Sequence, residues 1–287
     1  MKNFDYVAPR TLDEAVSILK DAKEGWHVLS GGTNLVVEIR DRKTAPDVVV
    51  DISYIDSLRY IREENGKIRI GGRASVEDLL RSGPIREKAG VLYECALNFA
   101  GPPIRNRATV AGNIVDASPA ADCAPPLQAL DAVAVLRSAE GERRVPVSEF
   151  AQGVRETVRR PNELVTEIEF EPIGKGSGYG YYKLGRRRAM AISVVSEAVV
   201  LHMDNGTCRK AGISLGAVAP VPIRVQKAEE MLEGKPAPDE TTVNECGRLA
   251  AEAASPIDDI RASAEYRKLM CEVLTRRLIN RALGREA

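Results

Sequence analysis

Two short segments of the chain combine residue types that suit anion binding rather than bond cleavage. In Ser30-Gly31-Gly32-Thr33-Asn34, paired glycines let the backbone turn tightly and bring its N–H groups against a phosphate, while Thr33 and Asn34 add side-chain hydrogen bonds. A helix start follows, and its N-terminus favours negative charge. The same residues also read as an ordinary glycine turn between strand and helix. They match neither G-x-G-x-x-G nor G-x-x-x-x-G-K-S/T, which tells against Rossmann and P-loop readings. The second segment is Arg107-Ala108-Thr109-Val110-Ala111-Gly112-Asn113-Ile114, followed by Ser118-Pro119-Ala120-Ala121-Asp122. Ala111 and Gly112 allow close backbone approach, and Thr109, Asn113 and Asp122 offer the donors and acceptors that phosphate oxygens and sugar hydroxyls need. One such loop means little. Two, each fed by regular structure, fit a long diphosphate-containing cofactor held from both sides. A third stretch, Tyr182-Lys183-Leu184-Gly185-Arg186-Arg187-Arg188 with Ile192 beyond it, offers cations for a phosphate or an adenine edge, or forms a solvated face. Arg105 and Arg107 share that ambiguity.

Other chemistries lose support from what the chain lacks. The five cysteines (Cys95, Cys123, Cys208, Cys246 and Cys271) are scattered without a C-x-x-C pair, and His27 and His202 cannot write H-E-x-x-H. Buried thiols and no metal site are expected. Lys+Arg 41 against Asp+Glu 41 gives a formal net charge of zero, so no general positive field favours nucleic acid. Met1 to Pro9 lacks a secretory pattern and no apolar stretch suits a bilayer, which places the expected protein in the cytoplasm.

The elements that must position these residues follow from local pattern. The 287 residues, 44% hydrophobic and 29% charged, suit about two globular domains at about 150 residues each. Thr11 to Glu14 reads as a capping box, with a helix to about Ala22. A strand over His27–Leu29, helical turns over Leu35–Arg40 and a strand over Asp47–Ile52 give a β-loop-α-β start. Leu58–Ile61 and Lys67–Ile70 alternate about Asn65-Gly66, a hairpin signal that opens a second unit. Val76–Leu80 and Ile85–Ala100 read as helices, the latter stopped by Pro102-Pro103. Ala108 to Pro126 reads as a long shaped loop. A helical turn over Leu127–Leu130 and strands over Ala132–Leu136 and Glu163–Phe170 close the unit near Pro172. Gly174 to Gly178 suits a linker. Strands over Ala191–Met203 and Arg209–Ala217, about Asn205-Gly206, precede helices over Val225–Leu232, Thr242–Ala254 and Ser263–Leu283, an α+β tail.

Taken in order, L-S-G-G-T-N-L (Leu29–Leu35), N-F-A-G-P-P-I-R-N-R-A-T-V-A-G-N-I (Asn98–Ile114) and S-P-A-A-D (Ser118–Asp122) resemble the FAD-binding medium subunit of molybdenum hydroxylases, the xanthine dehydrogenase and carbon monoxide dehydrogenase family. The resemblance spans essentially the whole chain. It implies an α+β fold: a two-part FAD-binding domain of the p-cresol methylhydroxylase type over residues 1–173, with subdomains of about 1–57 and 58–173, then an α+β C-terminal domain over residues 174–287. It implies that the backbone of Ser30, Gly31, Gly32, Thr33 and Asn34, flanked by Leu29 and Leu35, wraps the FAD diphosphate. Thr109, Gly112 and Asn113 then bind the diphosphate and ribityl region, and Asp122 takes a hydroxyl or an N–H. Lys183 matches a cofactor-contacting lysine, and Ile192 an apolar residue beside the isoalloxazine ring. Three positions depart from the family. Ser30 and Asn34 stand in a loop that often reads A-G-G-T-D, and Met190 replaces an acidic residue of xanthine dehydrogenases, which leaves the electron acceptor open among NAD, a quinone, ferredoxin and oxygen.

By the same resemblance, a large molybdenum-cofactor subunit oxidises the substrate and a small subunit passes electrons through two 2Fe–2S clusters to this FAD, which hands them to an external acceptor. The flavin carries the redox chemistry, and no residue here needs to be a catalytic acid or base. Two rival readings compete. A free-standing flavoprotein oxidoreductase of the same fold needs its own substrate groups or an attachment residue, for which His27 is the nearest histidine. A non-catalytic nucleotide-binding module would leave Thr33, Asn113 and Asp122 serving only local turns and caps.

Overall fold

Three parallel strands begin the chain, with two helices between them: β1 (Asp5–Val7), α1 (Leu12–Leu19), β2 (Trp26–Leu29), α2 (Leu35–Arg40) and β3 (Val48–Asp51), the sheet running β1-β3-β2. The structure is a computed structural model and describes residues 3–285. The Thr11 hydroxyl accepts the Glu14 N–H at 3.1 Å, but the Glu14 carboxylate reaches the Arg10 amide rather than Thr11, so only half of the expected box forms. Helix α1 ends at Leu19, short of Ala22, because Ala15, Val16 and Leu19 complete its buried face and Ala22 closes a turn back to Leu19. Ala15, Leu19, Val50, Ile52, Ile55 and Leu58 make a small core of this unit.

The second unit is a five-stranded antiparallel sheet under a helical layer. Its elements are β4 (Ile61–Glu64), β5 (Lys67–Gly71), α3 (Val76–Arg81), α4 (Gly83–Lys88), α5 (Gly90–Asn98), α6 (Pro102–Arg105), α7 (Val110–Val115), α8 (Ala124–Ala129), β6 (Val133–Ser138), β7 (Gly141–Pro146), α9 (Val147–Phe150), β8 (Ala151–Gly153), β9 (Glu156–Thr157) and β10 (Leu164–Phe170). The strand order is β4-β5-β10-β6-β7, and β8-β9 form a separate hairpin. Asn65 and Gly66 both take positive φ, 52° and 74°, as a two-residue turn matched to strand twist requires. Leu58 is not in the hairpin; it ends a 3₁₀ turn and is buried with the first core.

Two helical expectations need correction. Ile85–Ala100 is two helices, broken at Ala89 (φ −144°, ψ 47°), where α5 starts hard against Tyr179. Ala108–Pro126 is not an irregular loop throughout. Thr109 caps α7 by accepting the Gly112 N–H at 3.0 Å, and Val110, Ala111 and Ile114 are buried; the small residues that mask helical periodicity are what let α7 pack closely.

The remainder comprises β11 (Gly178–Gly185), β12 (Ser193–Asp204), β13 (Thr207–Gly216), β14 (Ile223–Arg224), α10 (Gln226–Leu232), β15 (Lys235–Pro236), α11 (Glu240–Ala253) and α12 (Ala264–Ala282), with sheet order β11-β12-β13-β14 and β15 on β13. Asn205 and Gly206 again both have positive φ. One face of this sheet contributes Tyr181, Ala198 and Val200 to the core of the second unit. The other face packs Val195, Val199, Leu201 and Ile213 against Cys271, Leu274 and Leu278 of α12. Glycine-rich Gly174–Gly178 is held at both ends: Ile173 N–H donates to Lys88 O, and Ser177 Oγ accepts the Met203 N–H. All five cysteines are buried and unpaired. Among the described residues no helix is long and apolar enough to cross a membrane.

Candidate functional site

The two glycine-bearing segments face each other. A Cβ on Gly31 would stand 2.0 Å from the Arg107 carbonyl oxygen, so only glycine permits this approach. Gly32 has φ +70°, and a Cβ there would press on Leu29 and Val36. Side chains then pin the segments together. Ser30 Oγ donates to Thr109 Oγ1 at 3.3 Å, and Asn34 Nδ2 donates to Asp116 Oδ1 at 2.5 Å. Arg155, at the tip of the β8–β9 hairpin, pairs with both Asp116 and, at 3.2 Å, Glu38 of α2. Asn34 is therefore more than a substitute for aspartate, since a carboxylate at that position could not donate to Asp116.

Between the segments lies a cleft of about 1180 Å³. Its walls include every residue that the resemblance assigned to the cofactor: Leu29, Ser30, Gly31, Gly32, Thr33, Asn34 and Leu35 on one side, Thr109, Gly112, Asn113 and Asp122 on another, and Lys183 and Ile192 from the third unit. Among the described residues the amides of Gly31, Gly32, Thr33 and Asn34 donate to no protein acceptor. Four unpaired N–H groups on one turn form an anion-binding concavity. The Asn113 Oδ1 accepts the Cys123 N–H at 2.9 Å, leaving its NH₂ group facing the cleft wall without a protein partner.

Asp122 joins the wall to the third unit. Its Oδ2 accepts from Lys183 Nζ at 2.6 Å, and its Oδ1 from the Ser193 hydroxyl at 2.8 Å. The Lys183 and Asp122 side chains are only 7% and 12% exposed. Of the basic run, Lys183 alone is buried in the wall; Arg186 turns away to the Ile260 carbonyl, and Arg187 donates to the Met190 carbonyl at the cleft lip. Arg105 is spent on Glu77 at 3.2 Å. Ile192 and Met190 are 64% and 60% exposed at that lip, an apolar edge open to the outside.

Sequence reasoning passed over several wall residues. Ser193 carried no motif signal. Trp26, Lys43, Thr44, Arg155, Thr157 and Arg159 also line the cleft, the last three from the β8–β9 region that the alternation signal did not reveal. Arg159 donates to the Glu163 carbonyl at 2.8 Å, and burial lowers its pKa. Burial first, then the Arg159 charge, lowers the pKa of His27, which leaves it neutral at pH 7 and no competitor for anions.

The donor set fits a long diphosphate-bearing ligand: unpaired amides and a close-packed glycine in the middle, a tethered lysine in one wall and an apolar lip. Residues 2–171 match the family described as "FAD binding domain in molybdopterin dehydrogenase", and residues 180–282 match "CO dehydrogenase flavoprotein C-terminal domain". The chain is 34% identical over 283 residues to the carbon monoxide dehydrogenase medium chain of Afipia carboxidovorans, covering 99% of this chain and 98% of that one. It is 35% identical over 246 residues to the nicotinate dehydrogenase FAD-subunit of Eubacterium barkeri, covering 84% and 83%. Reconstituted CO dehydrogenase from Oligotropha carboxidovorans contains a chain of the same fold, with TM-score 0.94, 33% identity and coverage of 99% and 98%.

Proposed function

The chain belongs to the FAD-binding medium subunits of the molybdenum hydroxylases, and from that premise we propose that it is the electron-transfer component of a heteromeric dehydrogenase. In this reading a small iron–sulfur subunit delivers electrons that originate at a large molybdenum-cofactor subunit, and the chain passes them through FAD to an external acceptor. The names of the relatives, "medium chain" and "FAD-subunit", describe parts of assemblies and support that role over a free-standing enzyme.

The observation that carries the reading is one cleft lined both by the Gly31–Asn34 turn, whose amides have no protein acceptor among the described residues, and by Lys183. The amides would hold the FAD diphosphate, with no side chain at Gly31 to keep them apart from the second loop. Thr109 caps α7 and so fixes the Gly112 and Asn113 backbone beside that position. Lys183 would meet an oxygen of the cofactor, and Ile192 would lie against the apolar edge of the ring. Bound FAD supplies one- and two-electron chemistry; the protein supplies binding, electrostatics and access. Leu29 and Leu35 flank the turn and line the same cleft.

The visible spectrum of the purified chain, with acid release and chromatography of the flavin, tests this. Near-stoichiometric FAD is expected, together with co-purification of molybdenum- and iron–sulfur-bearing chains from the native host. A colourless chain that takes up no added FAD would overturn the reading.

A further inference from the structure

Asp122 is where two cores meet at the cleft. It leads into α8, under the second unit, while Lys183 and Ser193 belong to β11 and β12. Its backbone is fixed from behind, since Cys95 Sγ donates to the Asp122 carbonyl at 3.1 Å. Ser193 is fully buried, and the β11–β12 pairing slips register between Leu184 and Gly185, a bulge of the kind that re-aims side chains. Lys183 has three donors and spends one on Asp122; no other protein acceptor is paired with its ammonium among the described residues. Two donors thus remain on a side chain that lines the cleft.

We infer that Ser193 is a positioning residue for the FAD site, holding Asp122 Oδ1 so that Oδ2 anchors Lys183 with its free donors toward the cleft. The inference rests on the FAD reading above. Without the Ser193 hydroxyl, the carboxylate is held on one side only and can turn about χ2. It then presents negative charge to the space in which a diphosphate must sit, and it no longer fixes the direction of the Lys183 ammonium. Asp122 and Ser193 act here through Lys183, and neither needs to touch the cofactor.

The test is FAD titration of the flavin-stripped full-length chain, followed by flavin fluorescence and visible spectrum, for wild type, Ser193→Ala and Ser193→Cys. Thermal melts of the same flavin-free samples run in parallel. Loss of a hydrogen bond to a charged group predicts a dissociation constant about 10- to 100-fold higher for Ser193→Ala, with a shifted visible band and a melting midpoint close to wild type. Ser193→Cys, a weaker donor of similar size, should fall between. Ser193→Ala binding within twofold of wild type with an unshifted band overturns the inference. Should Ser193→Ala not fold, Ser193→Cys decides: intermediate affinity supports the inference and wild-type affinity overturns it. A wild-type chain that takes up no FAD overturns the functional reading and this inference together, whereas an indifferent Ser193 beside a flavin-binding wild type removes only the latter.

Discussion

The cleft has two ends built by opposite means. At Ser30–Asn34 the working atoms are backbone amides, and the decisive feature of Gly31 is the absence of a side chain where a Cβ would stand 2.0 Å from a carbonyl oxygen. At Asp122 the working atoms are all side-chain atoms, contributed by residues 61 and 71 positions apart in the chain. The first end works through backbone shape, braced from the side by Asn34–Asp116 and Asp116–Arg155 contacts. The second is a buried ion pair whose strength depends on every member being present.

The sharpest way to break that contrast is Asp122→Ala. It leaves the Lys183 ammonium buried and unpaired, and removing one partner of a buried pair costs about 3 to 5 kcal/mol. Urea unfolding of the flavin-free chain should show a loss of that order, and Asp122→Asn, which keeps an acceptor for Ser193, a smaller one. Equal, small losses for both would mean that the second end is not electrostatic. Next in size is Gly31→Ala at the other end. Forcing a methyl against the Arg107 backbone sits at the upper end of overpacking costs, about 3 kcal/mol. FAD affinity should fall by a factor that is the same at pH 7 and pH 9, because His27, whose pKa burial lowers, is already neutral over that range. A factor that changes with pH would erase the distinction between the two ends. Gly66→Ala is the control: unlike Gly31 it takes a positive φ, but a Cβ there meets no atom within 4 Å, so it should cost about 1 kcal/mol and leave FAD affinity untouched.

The same contrast explains what could be read from sequence. A backbone-built site writes itself locally, and Gly31-Gly32 next to a strand and a helix start announced the turn, with anion binding as one of its two readings. The Asn65-Gly66 and Asn205-Gly206 hairpins were legible for the same reason, since positive φ at two successive residues demands those types. Side-chain sites depend on tertiary pairing. Asp122 and Lys183 were named through resemblance, but their bond was not, and Ser193 gave no local sign at all. Strand β11 escaped because the arginines after Gly185 suggest a solvated face, whereas Tyr181 is buried and Lys183 turns inward. Helix α7 hid among small residues whose size serves close packing rather than irregular backbone. Arg155 and Arg159 escaped because the short β8–β9 strands carry too little alternation to show.

A buried carboxyl outside the cleft sharpens the comparison by removing a confounder. Glu197, on the β12 face toward α12, is fully buried; its Oε1 accepts from the Thr275 hydroxyl at 2.5 Å, and its Oε2 has no partner. Burial pushes its pKa well above 4.5, opposed only in part by the Thr275 bond. The folded chain therefore holds a proton that the unfolded chain releases above about pH 4.5, so stability must decline as pH rises through that window toward the folded pKa. Glu197→Gln removes the titration, and unfolding midpoints measured from pH 5 to pH 8 should then fall less steeply than in wild type. The difference should be about 1 kcal/mol or more at pH 8, the scale for a buried polar group deprived of a partner. An unchanged slope would assign the alkaline loss to other groups. A flattened slope assigns the alkaline loss of stability to the Glu197 carboxyl on the β12 face.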